Sequence, residues 1–399
     1  MQTGSTAMRY RSDKYGNQIS ILGFGCMRFT TSGGKIDLSK AASEVKAAIE
    51  GGVNYFDTAY IYPGSEAAIG EILETLGVRD QVCLATKLPH YMVKTPVDLD
   101  RFFNEELRRL RTDHIDYYLI HMLTNAQAWE RLCELGIREW IDLIKKEGKI
   151  RQIGFSFHGG TESFIRIVDA YDWEFCQIQY NYVDEYSQAG VRGLHYAAEK
   201  GLPVVIMEPL RGGRLADKLP KAAVDELAAY HEKRSPASWG FRWLFNQPEV
   251  TCVLSGMNSL TMLEENLQTA SSIQPGELTQ EEIHVYQQVV KIINEKTKVP
   301  CTGCRYCMPC PKGVDIPGCF SAYNHSSSDG MYIGLKEYFM CMVLRQNYTG
   351  VSNCIGCGKC EKHCPQGISI RQELKAVKRK FENPPLKLVI KLAPKIVKY

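Results

Sequence analysis

The chain has 399 residues, of which 44% are hydrophobic, 23% charged and 10% aromatic. That composition excludes a disordered chain, and the length allows two or three domains, one of them large. Net charge is +3, but from Arg371 to Tyr399 nine Lys or Arg face two Glu, which puts +7 in the tail and −4 in everything before it.

Residues 1–7 (MQTGSTA) are small and polar, carry no argument, and leave Met8 as a natural start. The opening stretch has no apolar signal core and the chain no apolar run of about eighteen residues, so a cytoplasmic address is expected, with no transmembrane segment. From Ile19 to Ser271 eight short apolar runs follow one another: ISILGFGCMRF, NYFDTAY, VCLATKL, IDYYLIHM, RQIGFSF, FCQIQYNYV, PVVIMEPL and VTCVLSGM. Longer amphipathic stretches separate them, such as LSKAASEVKAAIEGG and SEAAIGEILETLG, several ending at Gly as helix C-termini do. Near-continuous apolar strands joined by helices require a parallel sheet covered on its outer face. Eight such units predict an α/β fold, a closed (β/α)8 TIM barrel, over residues 8–298. An open doubly wound sheet is the alternative, but no GxGxxG follows the first run.

A last helix, about Thr279 to Lys298, leads to Pro300 and a separate segment, 299–375, followed by a basic tail over 376–399. Ten of the fifteen cysteines fall between Cys301 and Cys364, and in a reducing compartment such crowding reads as metal ligation. Cys354, Cys357, Cys360 and Cys364 followed by Pro365 give C-x2-C-x2-C-x3-C-P. Cys301, Cys304, Cys307 and Cys310 followed by Pro311 nearly repeat it, with one residue fewer before the fourth cysteine. Two half-motifs imply two clusters. Zinc is the alternative, but a tetrahedral ion takes paired cysteines and would leave thiolates over from these triplets. The pattern resembles two-cluster 4Fe-4S ferredoxins. That resemblance groups Cys301, Cys304 and Cys307 with Cys364, and Cys354, Cys357 and Cys360 with Cys310, for which Cys319 or Cys341 could substitute. The segment shows little apolar periodicity, so a small ferredoxin-like domain held together by its clusters is expected.

Barrel chemistry gathers at the C-terminal ends of the strands. Asp57 and Tyr62 flank the end of the second run (DTAYIYPGSE), Lys87 closes the third (LATKLP) and His121 the fourth (YYLIHM). These positions match the Asp, Tyr, Lys and His tetrad of the aldo-keto reductase family. The chain resembles that family from about Met8 to Ser271 and, with its tail, is similar to the iron-sulfur branch. Reducing a carbonyl by hydride needs a proton donor, and a free phenol near pKa 10 is a slow one. Lys87 is expected to lower the Tyr62 pKa, Asp57 to offset and orient the buried lysine, and His121 to hold the carbonyl oxygen.

The resemblance also implies a nicotinamide site, NAD(P)H being the expected cofactor, and here the pattern departs at three points. Ser156 stands, but Phe157 and His158 follow where the family has Asn; Met207 replaces a stacking aromatic; Ser255, Gly256 and Met257 replace basic residues. Gln177, Glu265 and Asn266 match, and Met27 and Leu210 complete the expected cofactor-binding set. Nicotinamide moves two electrons and clusters one, so FMN, near the glycines of PLRGGR, is a further expected cofactor.

The reading is an oxidoreductase that reduces an aldehyde or ketone, coupled to electron transfer through two 4Fe-4S clusters. The alternative is an electron-transfer or redox-sensing protein whose barrel binds a dinucleotide without reducing carbonyls. Expected partners are a small carbonyl substrate and a ferredoxin or other one-electron carrier, with no nucleic acid. The tail sequence LKLVIKLAPKIVKY mixes lysines with aliphatics, suiting a membrane surface or, preferably, a docked helix whose lysines meet an acidic ferredoxin.

Overall fold

A computed structural model describes residues 7–186, 188–295, 297–301, 307–328, 330–343, 348–364 and 366–396. Cys304, Pro365 and the side chain of Cys341 lie outside the described residues. The chain divides into two compact units, the first formed by 1–185, 189–216 and 234–279, the second by 186–188, 217–233 and 280–399.

The first unit is a closed eight-stranded parallel barrel. We number its strands β1 (Leu22–Gly25), β2 (Tyr55–Asp57), β3 (Cys83–Leu88), β4 (Ile115–Leu123), β5 (Ile150–Phe157), β6 (Phe175–Gln179), β7 (Val204–Met207) and β8 (Val250–Ser255). Each pairs with the next in sequence, and β8 closes on β1 with Leu254 opposite Gly23. Successive strand side chains point to opposite faces, so each strand feeds two cores. Inward go Tyr55, Ala85, Tyr117, Leu119, Phe175, Val205, Cys252 and Leu254, which fill the barrel. Outward go Phe56, Leu84, Tyr118, Ile120, Cys176, Ile178 and Ile206, which pack in the shell core with helix residues such as Ile69 and Phe103. The same alternation carries Asp57, Lys87, His121, Ser156, Gln177 and Met207, two residues beyond inward-facing neighbours, to the C-terminal mouth.

At the opposite end an antiparallel hairpin, Tyr10–Ser12 with Gln18–Ser20, contributes Ile19 to the barrel core. Asp13 in its turn accepts the Tyr117 hydroxyl at 2.6 Å and the backbone N–H of Tyr15 and Asn17. Burial works against the Asp13 charge, yet these donors hold its carboxyl below the usual range.

The second unit contains the helix predicted before Pro300, found at Gln280–Glu295, packed with the helix Lys221–Ala229. The cysteine-rich part has a larger apolar core than its sequence suggests. Helices Ile316–Ser328, Met331–Tyr338 and Ile370–Phe381 bury Ile316, Phe320, Tyr338, Leu374, Val377 and Phe381 against one another. One carboxylate ties this part together: buried Glu382 accepts the hydroxyls of Tyr338, Tyr348 and Ser352, and Tyr338 in turn accepts the Val351 N–H at 2.9 Å. The loop that leads to Cys354 therefore hangs on the end of helix Ile370–Phe381. The tail forms a helix, Pro384–Ile396, with Leu388 and Val389 exposed. Among the described residues no helix is long and apolar enough to cross a membrane.

Candidate active site and cluster region

Alternation along β2 and β3 brings Lys87 to Asp57. The ammonium donates to Asp57 Oδ1 at 2.7 Å, to Oδ2 at 2.6 Å and to the Thr58 carbonyl at 2.6 Å. Lys87 is fully buried and Asp57 is 4% exposed. An ammonium has three N–H donors, so these acceptors can use all of them. Lys87 therefore acts on Tyr62 by its field: Nζ stands 5.3 Å from the centroid of the Tyr62 ring. That ring meets His121 edge to face, centroids 6.0 Å apart. The four tetrad residues thus share one end of the barrel.

Burial disfavours the Lys87 charge, but Asp57 and Tyr62 outweigh it and hold its pKa above the ordinary 10.5. Burial pushes the Asp57 carboxyl up, with Lys87 pulling the other way. The expectation for Tyr62 needs correction. Lys87 pulls its pKa down, but burial, with Asp57 and Glu208 adding to it, leaves the phenol above the ordinary value. The carboxylate that fixes the lysine cancels much of its field at the tyrosine. Burial, with Lys87, His158 and His90 nearby, drives His121 down to about 2, so its imidazole is neutral. His121 Nδ1 is buried without a hydrogen-bond partner among the described residues.

The expected cofactor residues follow around the mouth. Ser156 on β5 accepts the Met122 N–H at 2.8 Å, where the β4–β5 pairing slips and Met122 takes a left-handed φ of 58°. Gln177 lies opposite Ser156; its Nε2 meets Met207 Sδ at 3.5 Å, and its Oε1 is buried with no partner among the described residues. Asn266 Nδ2 donates to Ser255 Oγ at 3.1 Å, Glu265 is half-buried, Leu210 packs over Gly240, and Met27 is 63% exposed.

Two features escaped the sequence reading. Arg28, just past β1, lies across the loops after β7 and β8. A Cβ on Gly212 would stand 2.9 Å from its guanidinium, and one on Gly256 would stand 2.8 Å from its Cδ. Glycine at both places leaves the arginine its bed, and Gly212 also takes φ 68°. The second is a half-buried ion pair that anchors the glycine loop. Asp184 accepts Arg211 Nε at 2.6 Å and a second guanidinium N–H, with Asn181 Nδ2 at 2.9 Å. Burial opposes the Asp184 charge, but Arg211 and the amides keep its carboxyl below the usual range.

In the second unit a cavity of about 380 Å³ is lined by Cys307, Cys310, Cys354, Cys357 and Cys360, with Lys312, Lys359 and Arg371 around it. Cys310, Cys354, Cys357, Cys360 and Cys364 are free thiols. Cys301 and Cys364 are half-buried. Cys319, the suggested substitute for Cys310, is instead fully buried beside Ile316 and Phe320, and burial pushes its thiol well up. Among the described residues no three candidate ligands converge around a single ion.

The fold and the mouth define an enzyme of the barrel class whose reactive groups stand at the C-terminal ends of its strands. The family model described as "Aldo/keto reductase family" matches residues 21–290, and one for a 4Fe-4S dicluster domain matches residues 300–368. The chain belongs to the aldo/keto reductase family and is an oxidoreductase with a 4Fe-4S domain. It is 25% identical to L-galactose dehydrogenase of Arabidopsis thaliana over 71% of this chain and 94% of that one. It is 30% identical to an aldo-keto reductase of Mycolicibacterium vanbaalenii over 63% and 82%. Among solved structures it resembles an aldo-keto reductase from Bacillus halodurans in its holo form, 25% identical with a TM-score of 0.57, covering 71% of this chain and 96% of that one. A reductase from Klebsiella pneumoniae in complex with NADP and acetate shares the fold at 22% identity and a TM-score of 0.56, over 71% and 96%.

Proposed function

We propose that the chain reduces an aldehyde or ketone, with Tyr62 as proton donor. In this reading Cys301, Cys304, Cys307 and Cys364 would hold one 4Fe-4S cluster and Cys354, Cys357, Cys360 and Cys310 a second, and the clusters would supply single-electron exchange with a carrier protein. The observation that carries the reading is the buried Lys87–Asp57 pair 5.3 Å below the Tyr62 ring. A nicotinamide held at Gln177 would supply, when bound, the hydride for the carbonyl carbon. Tyr62 gives its proton to the carbonyl oxygen as negative charge grows there, and the Lys87 ammonium favours the phenolate left behind. His121, neutral, offers one ring N–H to the same oxygen, a bond that strengthens along the reaction.

The mouth fits a nicotinamide dinucleotide on two counts: the unpartnered Gln177 Oε1 is an acceptor for a carboxamide, and Arg28 is a cation over two glycines. NADP in the Klebsiella pneumoniae neighbour supports the same choice. FMN at these glycines would convert between one- and two-electron steps. The cysteines that line the second-unit cavity fit iron-sulfur ligation, and a reducing cytoplasm would preserve it.

The test is anaerobic purification, iron, sulfide and organic-cofactor analysis, then NAD(P)H-dependent reduction of an aldehyde panel by the parent and by Tyr62→Phe. We expect both proteins to carry clusters and to bind cofactor, and the variant to lose about 10²-fold or more in kcat. Equal rates would overturn the assignment, and a parent inert across the panel would favour the electron-transfer reading.

A further inference from the structure

Helix Ile370–Phe381 buries Ile370, Leu374, Val377 and Phe381. That register turns Arg371, Lys375 and Lys378, spaced i, i+4 and i+7, to one outer line about 10 Å long. Together they form one wall of an open groove of about 750 Å³ whose other wall carries Cys354 and Ile355. Ile355 is 64% exposed and Lys375 is exposed. Cys354 lines both this groove and the cysteine cavity, so the groove runs to the edge of the cluster site.

The charge is one-sided. Among the described residues the groove is lined by three cations against one anion, Glu361, a net +2. Glu361 is paired with Arg371 at 2.7 Å and also accepts the Arg371 backbone N–H at 2.8 Å, which fixes the arginine rather than neutralising the lysines. Glu382 is buried and occupied by tyrosine and serine hydroxyls. Cations strung along a helix and facing an exposed aliphatic side chain on the opposite wall suit a protein surface better than a single phosphate. A small anion would call for convergent, bidentate donors.

We propose that this groove docks an acidic one-electron carrier protein, which passes an electron to or from the cluster ligated by Cys354. The proposal rests on the reading of that cluster as redox-active and names where its partner sits. The exchange balances as one electron: the carrier is oxidised as the cluster is reduced, or the reverse. Complementary charge steers such encounters and raises their rate in a salt-sensitive way.

The experiment uses the full anaerobic chain and an acidic 2Fe-2S ferredoxin as probe, with electron exchange followed in both directions by stopped flow across ionic strength. Lys375→Glu/Lys378→Glu is expected to slow exchange at low salt by about tenfold or more and to flatten its salt dependence. Lys375→Gln/Lys378→Gln, which keeps the helix and removes only charge, should fall between. Reduction by the small dye methyl viologen should stay within about twofold in both variants, because a dye needs no docking surface. Ferredoxin exchange as fast in the variants as in the parent would overturn the docking site and leave the clusters' redox role standing. Clusters that methyl viologen cannot bleach would overturn the redox reading and this surface with it. Charge-dependent retention on anionic vesicles or duplex DNA, with ferredoxin exchange unchanged, would also overturn it.

Discussion

Replacing Asp57 by Asn keeps the shape of the mouth and removes one charge from a pair that is 4% and 0% exposed. Lys87 would retain the Thr58 carbonyl at 2.6 Å and an amide oxygen, but no counter-charge. Removing one partner of a buried pair costs about 3–5 kcal/mol, because the other ion stays desolvated. For a unit of this size 1 kcal/mol corresponds to about 2–4 °C, so a fall in Tm on the order of 10 °C is expected. The dependence on pH gives a sharper signature. In the parent, Lys87 titrates above 10.5, so its contribution is complete below that value and lost only as pH rises through the raised pKa. In Asp57→Asn, burial, the largest influence on Lys87, faces only the smaller pulls of Tyr62 and Cys26 and is expected to put its pKa below 10.5, so the unfolded chain binds the extra proton and stability rises as pH climbs toward that value. All five tryptophans, Trp129, Trp140, Trp173, Trp239 and Trp243, lie in the barrel unit, so their fluorescence reports its unfolding alone. Thermal melts at pH 7, with urea titrations at pH 7, 8.5 and 10 for the slope against pH, are the assay. A variant within about 2 °C of the parent, with the parent's slope against pH, would refute the ion-pair account.

Cys310→Ser should lose about half of the bound iron, whereas Cys319→Ser should keep it, since Cys310 lines the cluster cavity and Cys319 packs in the apolar core. His121, held to about 2, binds no proton in the folded state at pH 5, so the parent should lose about 2 kcal/mol between pH 7 and 5 that His121→Asn keeps; guanidinium titrations measure it. Asp184→Asn should loosen Arg211 and the glycine loop, raising the nicotinamide KM about tenfold with kcat less affected, read in steady-state kinetics.

What sequence could show depended on distance along the chain. Asp57, Lys87 and His121 were legible because each ends an apolar run and period-two alternation fixes its face. Tyr62 lies past a strand end, where alternation says nothing, and only its motif marked it. Arg28 meets Gly212 and Gly256 because β8 closes on β1, and no local pattern reports that closure. The Asp184–Arg211 tie joins the loops after β6 and β7, whose side-by-side pairing brings together residues 27 apart in sequence. The direction of the Tyr62 shift was misjudged because the lysine's partner and the burial, both tertiary, decide it. Between the cysteine groups, IPGCFSAYNHSSS has weak helix formers, and Ile316–Ser328 is helical because its apolar side chains pack on Ile370–Phe381.

The Glu382 knot orders the protein's biosynthesis. The barrel's residues are all made before Gln280, whereas the stretch bearing Cys354 waits for a carboxylate translated about a hundred residues later. A nascent chain can thus complete its barrel while its cysteines still lack a settled scaffold. A chain that stops before residue 382 would carry every residue of the barrel unit and lack the carboxylate that holds the loop to Cys354.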